Sequence, residues 1–395
     1  MPDVSVVGIG ADGWPGLSPP ASSALRAAAV VFGSARQLAL LPAEVTAERI
    51  PWPSPLMPAL PGLLEAHRGA RVCVLASGDP MHHGIGAAIL RILGPDRVTV
   101  LPAASSMSLA CARLGWAMEE VEVVGLVGRP VELLHPHLTP GRRLLILGAA
   151  AATVGDILSR RGYGMSRLTV LEQLGGAGER VTRGTATSSW GASDPLTIVA
   201  VECAEGAHLP VVPGLPDDAY VHDGQLTKRE VRAITLARLA PAPGQVLWDV
   251  GAGAGSVAIE WMRTHRSCRA IAVEADPTRA ARVHANALAL GVPGMSIVEG
   301  RAPAALAGLE GPDAVFIGGG VTEPGMVEAC WAALSPGARL VANAVTLESE
   351  AVLTSWHAKL GGDLTRIEVS RAGAVGGFTA WRPALPVVQW SATRG

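Results

Sequence analysis

Val246-Leu-Trp-Asp-Val-Gly-Ala-Gly-Ala-Gly-Ser-Val-Ala-Ile-Glu260 joins a hydrophobic run to a helical pattern through three alternating glycines, Gly251, Gly253 and Gly255. Glycines at a strand-to-helix turn let the backbone bend sharply and come close to a ligand, while the free amides of the helix N-terminus face it. The stretch therefore predicts a nucleotide-type site on an α/β sheet. The next expected strand, 269–274, ends in Glu274 about 20 residues on, where a carboxylate can accept both hydroxyls of a ribose.

The Gly-x-Gly-x-Gly spacing, with Asp249 two residues before the first glycine, departs from the Gly-x-Gly-x-x-Gly of dinucleotide binders. A dinucleotide uses the loop and helix N-terminus for its pyrophosphate. A sulfonium cofactor presents an amino-acid tail instead, and an acid near its ammonium favours it.

Outward from this motif, strands are expected at 295–298, 313–318 and 338–342, separated by helical segments such as 277–290 and 324–334. That alternation predicts a doubly wound parallel sheet. Upstream, Thr227-Lys-Arg-Glu230 has the spacing of a capping box, and Val231, Ile234, Leu236 and Leu239 supply the apolar side of the helix it opens. Downstream, 363–370 and 377–382 read as two strands without a helix between them, hence an antiparallel edge hairpin.

Between Gly206 and Asp217 stand Pro210, Pro213 and Pro216, a stretch that resists helix and sheet alike. The domain boundary is placed there, giving 1–207 and 208–395. Two domains also suit a chain of 395 residues, since a single core stops growing at roughly 250 to 300. The first domain alternates short β-rich runs (4–7, 71–75, 97–101, 121–126, 144–147, 168–171, 197–201) with helical patterns and is likewise α/β.

The composition is globular, 49% hydrophobic and 17% charged, and a net charge of −2 offers no bulk attraction to nucleic acid or an anionic membrane. Cys73, Cys111, Cys203, Cys268 and Cys330 are odd in number and form no Cys-x-x-Cys pair, which argues against a disulfide framework and a zinc site. No metal is expected. The start of the chain lacks the pattern of a signal peptide, and the longest uncharged apolar run, 144–155, is short of the ~20 residues that span a bilayer. A cytoplasmic protein is expected.

Five segments accompany the glycine motif: Gly214-Leu-Pro-Asp-Asp-Ala-Tyr220, Leu226-Thr-Lys-Arg-Glu-Val-Arg232, Asp313-Ala-Val-Phe-Ile-Gly-Gly-Gly320, Asn343-Ala-Val-Thr-Leu-Glu348 and Gly376-Gly-Phe-Thr-Ala-Trp381. Together they resemble the class I S-adenosylmethionine (SAM) methyltransferases, and among these the decarboxylating, C15-methylating precorrin methyltransferases of cobalamin biosynthesis. The resemblance implies that Thr227, Asp249, Gly251, Gly253 and Gly255 hold the cofactor, with Asp249 and Gly251 at its methionine end and Glu274 on the ribose. The Gly300 and Ala302 backbone would line the adenine. Between them stands Arg301, where the family pattern has an acid.

In the first domain, Val6-Val-Gly-Ile-Gly-Ala-Asp-Gly13, Ala76-Ser-Gly-Asp-Pro80, Pro102-Ala-Ala-Ser-Ser106, Glu172-Gln-Leu-Gly-Gly-Ala-Gly-Glu-Arg180 and Asp194-Pro-Leu-Thr197 occur in that order. They resemble the tetrapyrrole methylases, class III SAM enzymes whose cofactor lies folded between two α/β halves, and specifically the C5-methylating precorrin enzymes. The resemblance implies Gly8 and Gly10 at the border of the pocket, Gly78, Asp79 and Met81 at the methionine end, Ser105 and Ser106 as a cap, and Leu174 and Thr197 by the adenosine.

The pairing implies a bifunctional SAM-dependent C-methyltransferase of corrin biosynthesis, with one SAM per domain. It would methylate precorrin-6B at C5 and C15 and decarboxylate the C12 acetate to give precorrin-8. The family also implies a homo-oligomer assembled through the C-terminal domain. Such a substrate is a polycarboxylate, which arginine forks bind well. Substrate-binding candidates are His82, His83, Lys228, Arg229, Arg301 and Arg371, with Arg36, Arg113, Arg129 and Arg382 as further arginines; no catalytic residue stands out. The alternative is a SAM-dependent methyltransferase of nucleic acid or protein, with one domain acting only as a SAM-binding module.

Overall fold

The computed structural model describes residues 3–82 and 84–395. The chain divides into two compact units, 1–131 with 139–207, and 132–138 with 208–395.

The first unit contains, in chain order, β1 (Val4–Ile9), β2 (Val30–Gly33), β3 (Glu48–Pro51), β4 (Val72–Ser77), β5 (Val98–Leu101), β6 (Val121–Gly125), β7 (Arg143–Leu147), β8 (Arg167–Glu172), β9 (Arg180–Thr185) and β10 (Thr197–Glu202). The first five form a parallel sheet in the order β3-β2-β4-β1-β5. The others form a mixed sheet in the order β6-β7-β10-β8-β9, with β8, β9 and β10 in antiparallel pairs. Alternate residues explain how the first sheet buries both faces. Val4, Val6, Val72 and Val74 pack with Leu60, Leu64 and Ile89. Val7, Ile9, Cys73 and Leu75 pack with Leu25 and Leu38 on the opposite side.

Three strands of this unit escape the pattern of the sequence. β2 is only four residues long, while β3 (Glu-Arg-Ile-Pro) and β9 (Arg-Val-Thr-Arg-Gly-Thr) are sheet edges with exposed charged or polar residues. An edge strand with a wet face needs no apolar run.

The second unit contains β11 (Val246–Val250), β12 (Arg269–Glu274), β13 (Ser296–Glu299), β14 (Ala314–Ile317), β15 (Arg339–Ala344), β16 (Asp363–Ile367), β17 (Ser370–Val375), β18 (Phe378–Pro383) and β19 (Val387–Thr393). Seven of them form one sheet in the order β13-β12-β11-β14-β15-β19-β16. It is parallel through β15, and β19 runs antiparallel to both its neighbours. The strand order reverses between β11 and β14, which puts the glycine turn after β11 at the topological switch point where open α/β sheets bind ligands.

The edge hairpin expected from 363–370 and 377–382 is corrected by the structure. β16 joins the main sheet by pairing with β19, and the hairpin is a separate ribbon of β17 and β18 that turns between Val375 and Phe378. The alternation of β19 decides this, because Val388, Trp390 and Ala392 are buried in the core whereas every residue of β18 is exposed.

The capping box is also corrected. The helix runs Arg229–Leu239 with Lys228 as N-cap, and no side chain caps it. Ile234, placed on its apolar side by the sequence, is exposed. What fixes this region is a buried ion pair. Arg232 is 0% exposed and its Nε donates to Glu260 Oε1 at 2.5 Å. The same carboxylate accepts from the Gly214 and Leu215 amides and, at 2.8 Å, from the Tyr220 hydroxyl. Arg232 also donates to the carbonyls of Leu215 and Thr227. The segments 214–220 and 226–232 thus clamp the entry of the second unit onto its first helices. Removing one partner strands a buried charge, so Arg232→Met is expected to lower the stability of this unit by about 3–5 kcal/mol. Calorimetry of the full chain checks it, the second unit's transition falling by on the order of 10 °C.

Candidate functional site

Two cavities gather the residues singled out from the sequence, one in each unit. In the second unit a cavity of about 580 Å³ opens beside the glycine turn. Thr227, Lys228, Gly251, Gly253, Glu274, Gly300, Arg301, Ala302 and Arg371 all lie on its wall. Gly251 has φ +72°, and a Cβ there would lie 2.9 Å from Gly319 N, so the turns after β11 and β14 meet across the switch point without room for a side chain. Glu274, at the end of β12, accepts the Gly253 amide on Oε2 at 2.8 Å and the Asp276 amide on Oε1 at 3.0 Å. Each oxygen keeps acceptor capacity for a ligand hydroxyl.

Asp249 and Gly255 do not reach the wall. Gly255 precedes the helix Ser256–Thr264 and packs against Val283. Asp249 is buried beneath the turn, where Oδ2 accepts the Ala258 amide at 3.0 Å and Oδ1 has no hydrogen-bond partner. Burial, aided by the nearby Glu274 charge and opposed by the Ala258 amide, raises its carboxyl from the ordinary 3.8 to about 7. The folded protein therefore binds a proton between these values that the unfolded chain has released, and stability falls as pH rises through that window. Asp249→Asn is expected to remove this slope, on the order of 4 kcal/mol in total, which urea unfolding of the ligand-free protein at pH 4.5 and 8 reads directly.

The cations of this wall differ in how they are held. Arg301 pairs with Glu323 at 2.9 Å, Arg279 with Asp223 at 3.0 Å, and Arg371 with Glu230. Among the described residues Lys228 makes no ion pair. Arg229 is exposed and off the wall, and Arg382 donates to Ala374 within the ribbon. Asn343, which the sequence offered only as part of a motif, lies on the wall and is oriented by Gln389 Nε2 at 2.9 Å.

In the first unit a cavity of about 730 Å³ takes wall residues from both sheets. Gly10, Gly78, Asp79, His82, Ser105, Ser106, Leu174 and Thr197 line it, together with Leu171 and Ile198. Gly8 lies behind the wall. A Cβ there would overlap the Gly78 carbonyl oxygen and lie 2.6 Å from Ala103 N, so this glycine lets the turns after β1, β4 and β5 converge. Met81 is exposed and off the wall, though its amide donates to Asp79 Oδ1 at 2.9 Å and shapes that loop. Ser105 caps the helix Ser106–Leu114 through the Ser108 amide. The Thr197 hydroxyl donates to the Asp194 carbonyl at 2.6 Å. His83 lies outside the described residues.

Arg36, Gln37 and Arg129 also line this cavity. Gln37 has a signal in the sequence, since Ser34-Ala-Arg-Gln37 has capping-box spacing and forms that box at the helix Ala35–Ala39. Arg113 instead pairs with Glu179 at 2.5 Å, off the wall.

Both cavities are in the size range of cofactor sites. Each combines glycine turns at strand ends with a few acceptors and apolar side chains, a donor set that fits a nucleoside carrying an amino-acid tail. Cysteine chemistry is disfavoured: all five thiols are buried and free, and burial pushes those of Cys73 and Cys330 up to about 12. Among the described residues no group of three or more His, Cys, Asp or Glu is placed to hold a metal ion, and no helix is long and apolar enough to cross a membrane.

Comparison with known proteins follows the same division. Residues 3–188 match the family model for tetrapyrrole (corrin/porphyrin) methylases, and residues 218–394 match that of the precorrin methyltransferase domain. A precorrin-6Y C(5,15)-methyltransferase [decarboxylating] from Sinorhizobium sp is 50% identical over 100% of this chain and 97% of its own length. The protein of that name from Mycobacterium tuberculosis (strain CDC 1551 / Oshkosh) is 47% identical over 99% of this chain and 100% of its own. A probable cobalt-precorrin-6B C(15)-methyltransferase (decarboxylating) from Pyrobaculum calidifontis is 35% identical over 44% of this chain and 93% of its own length. With relatives this similar along the whole chain, the chain belongs to the precorrin-6Y C(5,15)-methyltransferase (decarboxylating) family.

Proposed function

We propose that this chain is a bifunctional SAM-dependent C-methyltransferase of corrin biosynthesis that methylates precorrin-6B at C5 and C15 and decarboxylates its C12 acetate to give precorrin-8. The observation that carries the reading is the presence of two unlike glycine-built cavities, one per unit, in a chain similar over its full length to enzymes named for two methylations and a decarboxylation.

The first unit is assigned C5 methylation. The second is assigned C15 methylation with decarboxylation, a division supported by the family model over 218–394 and by a relative named for C15 methylation and decarboxylation alone that covers 44% of this chain. One SAM is assigned to each unit. In the second, Glu274 would take the ribose hydroxyls and the Gly251 to Gly253 turn the methionine end. In the first, Gly78, Asp79 and Ser106 would take the methionine end, and Leu174 and Thr197 the adenosine.

SAM supplies an electrophilic methyl on a sulfonium, already bearing a good leaving group. The chain's residues then have to hold an electron-rich tetrapyrrole carbon in line with it and exclude water. Positioning of this kind is worth about 7 to 11 kcal/mol in well-oriented intramolecular reactions. A reduced tetrapyrrole has enamine-like carbons, so neither wall needs a strong base, and its protonated macrocycle can accept the electron pair released when carbon dioxide leaves the acetate. The free cysteines support a reducing, cytoplasmic setting. Assembly through the second unit is supported by the exposed Phe378, Trp381 and Leu385 on and beside its ribbon.

Incubation of the protein with SAM and precorrin-6B tests the reading by product mass. Two methyl groups gained and one carbon dioxide lost is the expected result. Unchanged tetrapyrrole beside a methylated oligonucleotide or protein would overturn it.

A further inference from the structure

Arg36 stands on the wall of the first cavity as a half-buried guanidinium that, among the described residues, has no carboxylate partner. The contrast with the other cavity makes this informative, because there Arg279, Arg301 and Arg371 are each matched by an acid of the same unit. Among the described residues no carboxylate lies within ion-pair distance of Arg36. Its Nη2 donates to the neutral Ser77 hydroxyl at 3.2 Å.

This placement is held from two sides. Gln37, 5% exposed, donates through Nε2 to the same Ser77 Oγ at 3.1 Å, while its Oε1 accepts the Ser34 amide at 2.8 Å in the capping box. Ser77 ends β4 and leads directly into Gly78 and Asp79. The guanidinium is thus tied to the loop assigned to the cofactor and leaves donors of its planar fork unused. Burial lowers its affinity for a proton, and the charge of Asp194 offsets this only in part. Asp194 is itself occupied, since both its oxygens accept from Gln173 Nε2 at 2.9 Å. A guanidinium partly removed from water without an anion gains when a ligand supplies one. Arg129 lines the same cavity, also without a carboxylate among the described residues, its Nη1 donating to the Gly125 carbonyl at 3.1 Å.

We infer that Arg36 is a specificity-determining residue of the first site, binding a peripheral carboxylate of the tetrapyrrole substrate and thereby setting the ring over the Gly78-Asp79 loop. The inference rests on the proposed function. It assigns the arginine to the substrate; capture of the methionine carboxylate of SAM by the same fork is the competing outcome, which a loss in SAM affinity would reveal.

The test uses the full chain and follows methylation at the first site with SAM and tetrapyrrole varied separately. Arg36→Gln is expected to raise KM for the tetrapyrrole about 10- to 100-fold with kcat and SAM affinity little changed, the loss of one charge-assisted pair. Arg36→Lys, which keeps the charge without the fork, should recover part of it. With a tetrapyrrole whose carboxylates are methyl-esterified, wild type and Arg36→Gln should converge. An unaltered tetrapyrrole KM, or a loss that appears in SAM affinity instead, would overturn the role of Arg36. A wild-type protein that does not methylate the tetrapyrrole at all would instead overturn the proposed function.

Discussion

The Gly251→Ala protein is expected to release a tetrapyrrole that carries the first unit's methyl group alone and retains its acetate carboxyl. Gly251 adopts φ +72°, a left-handed conformation that strains any L side chain by about 1–2 kcal/mol. The added Cβ would also press on the Gly319 backbone, with N at 2.9 Å and O at 3.1 Å. Both residues lie on the wall of the second cavity, so the distortion falls on the surface that must hold the reacting groups. A displacement of about 1 Å costs on the order of 100-fold in rate when positioning supplies the catalysis. The measurement is product mass and methyl location under single-turnover conditions. Decarboxylated product formed at the wild-type rate would contradict the assignment.

Gly8→Ala should give the mirror image, a product methylated and decarboxylated by the second unit but lacking the first unit's methyl. No left-handed strain is involved here. The methyl would collide with the Gly78 carbonyl oxygen and lie 2.6 Å from Ala103 N, forcing apart three turns, two of which lead into the wall residues Gly78, Asp79, Ser105 and Ser106. Methyl transfer at this site is expected to fall about 100-fold or more, while far-UV circular dichroism stays near that of the wild type. Equal loss at both positions would argue against separate sites.

The second unit was the more legible of the two in the sequence. Val246–Val250 and Arg269–Glu274 end where the apolar runs end, because a strand buried on both faces needs a continuous hydrophobic run bounded by turn residues. Glu274 and Gly251 could be placed at the strand-end turns that line the cavity for the same reason. Asp249 shows the limit of such reading. Its position in the motif was visible, but whether its side chain faces the cavity or the helix behind the turn depends on the Ala258 amide, nine residues on, and no spacing rule reports that. Arg232 shows a related limit: it stood in a recognisable motif, and only packing against Glu260 reveals that the motif clamps the fold. In the first unit, short and edge strands hid β2 and β3, and with β2 hidden the connection that carries Arg36 and Gln37 into the cavity had no place in the sheet.

The claim at the centre of this account is that one chain holds two independent SAM sites. Titration calorimetry with SAM, or with its demethylated product, measures that number per chain. The account predicts two equivalents for the wild type, and one for each of Gly8→Ala and Gly251→Ala. A single equivalent in the wild type, or the loss of both in either variant with its fold intact, would contradict it.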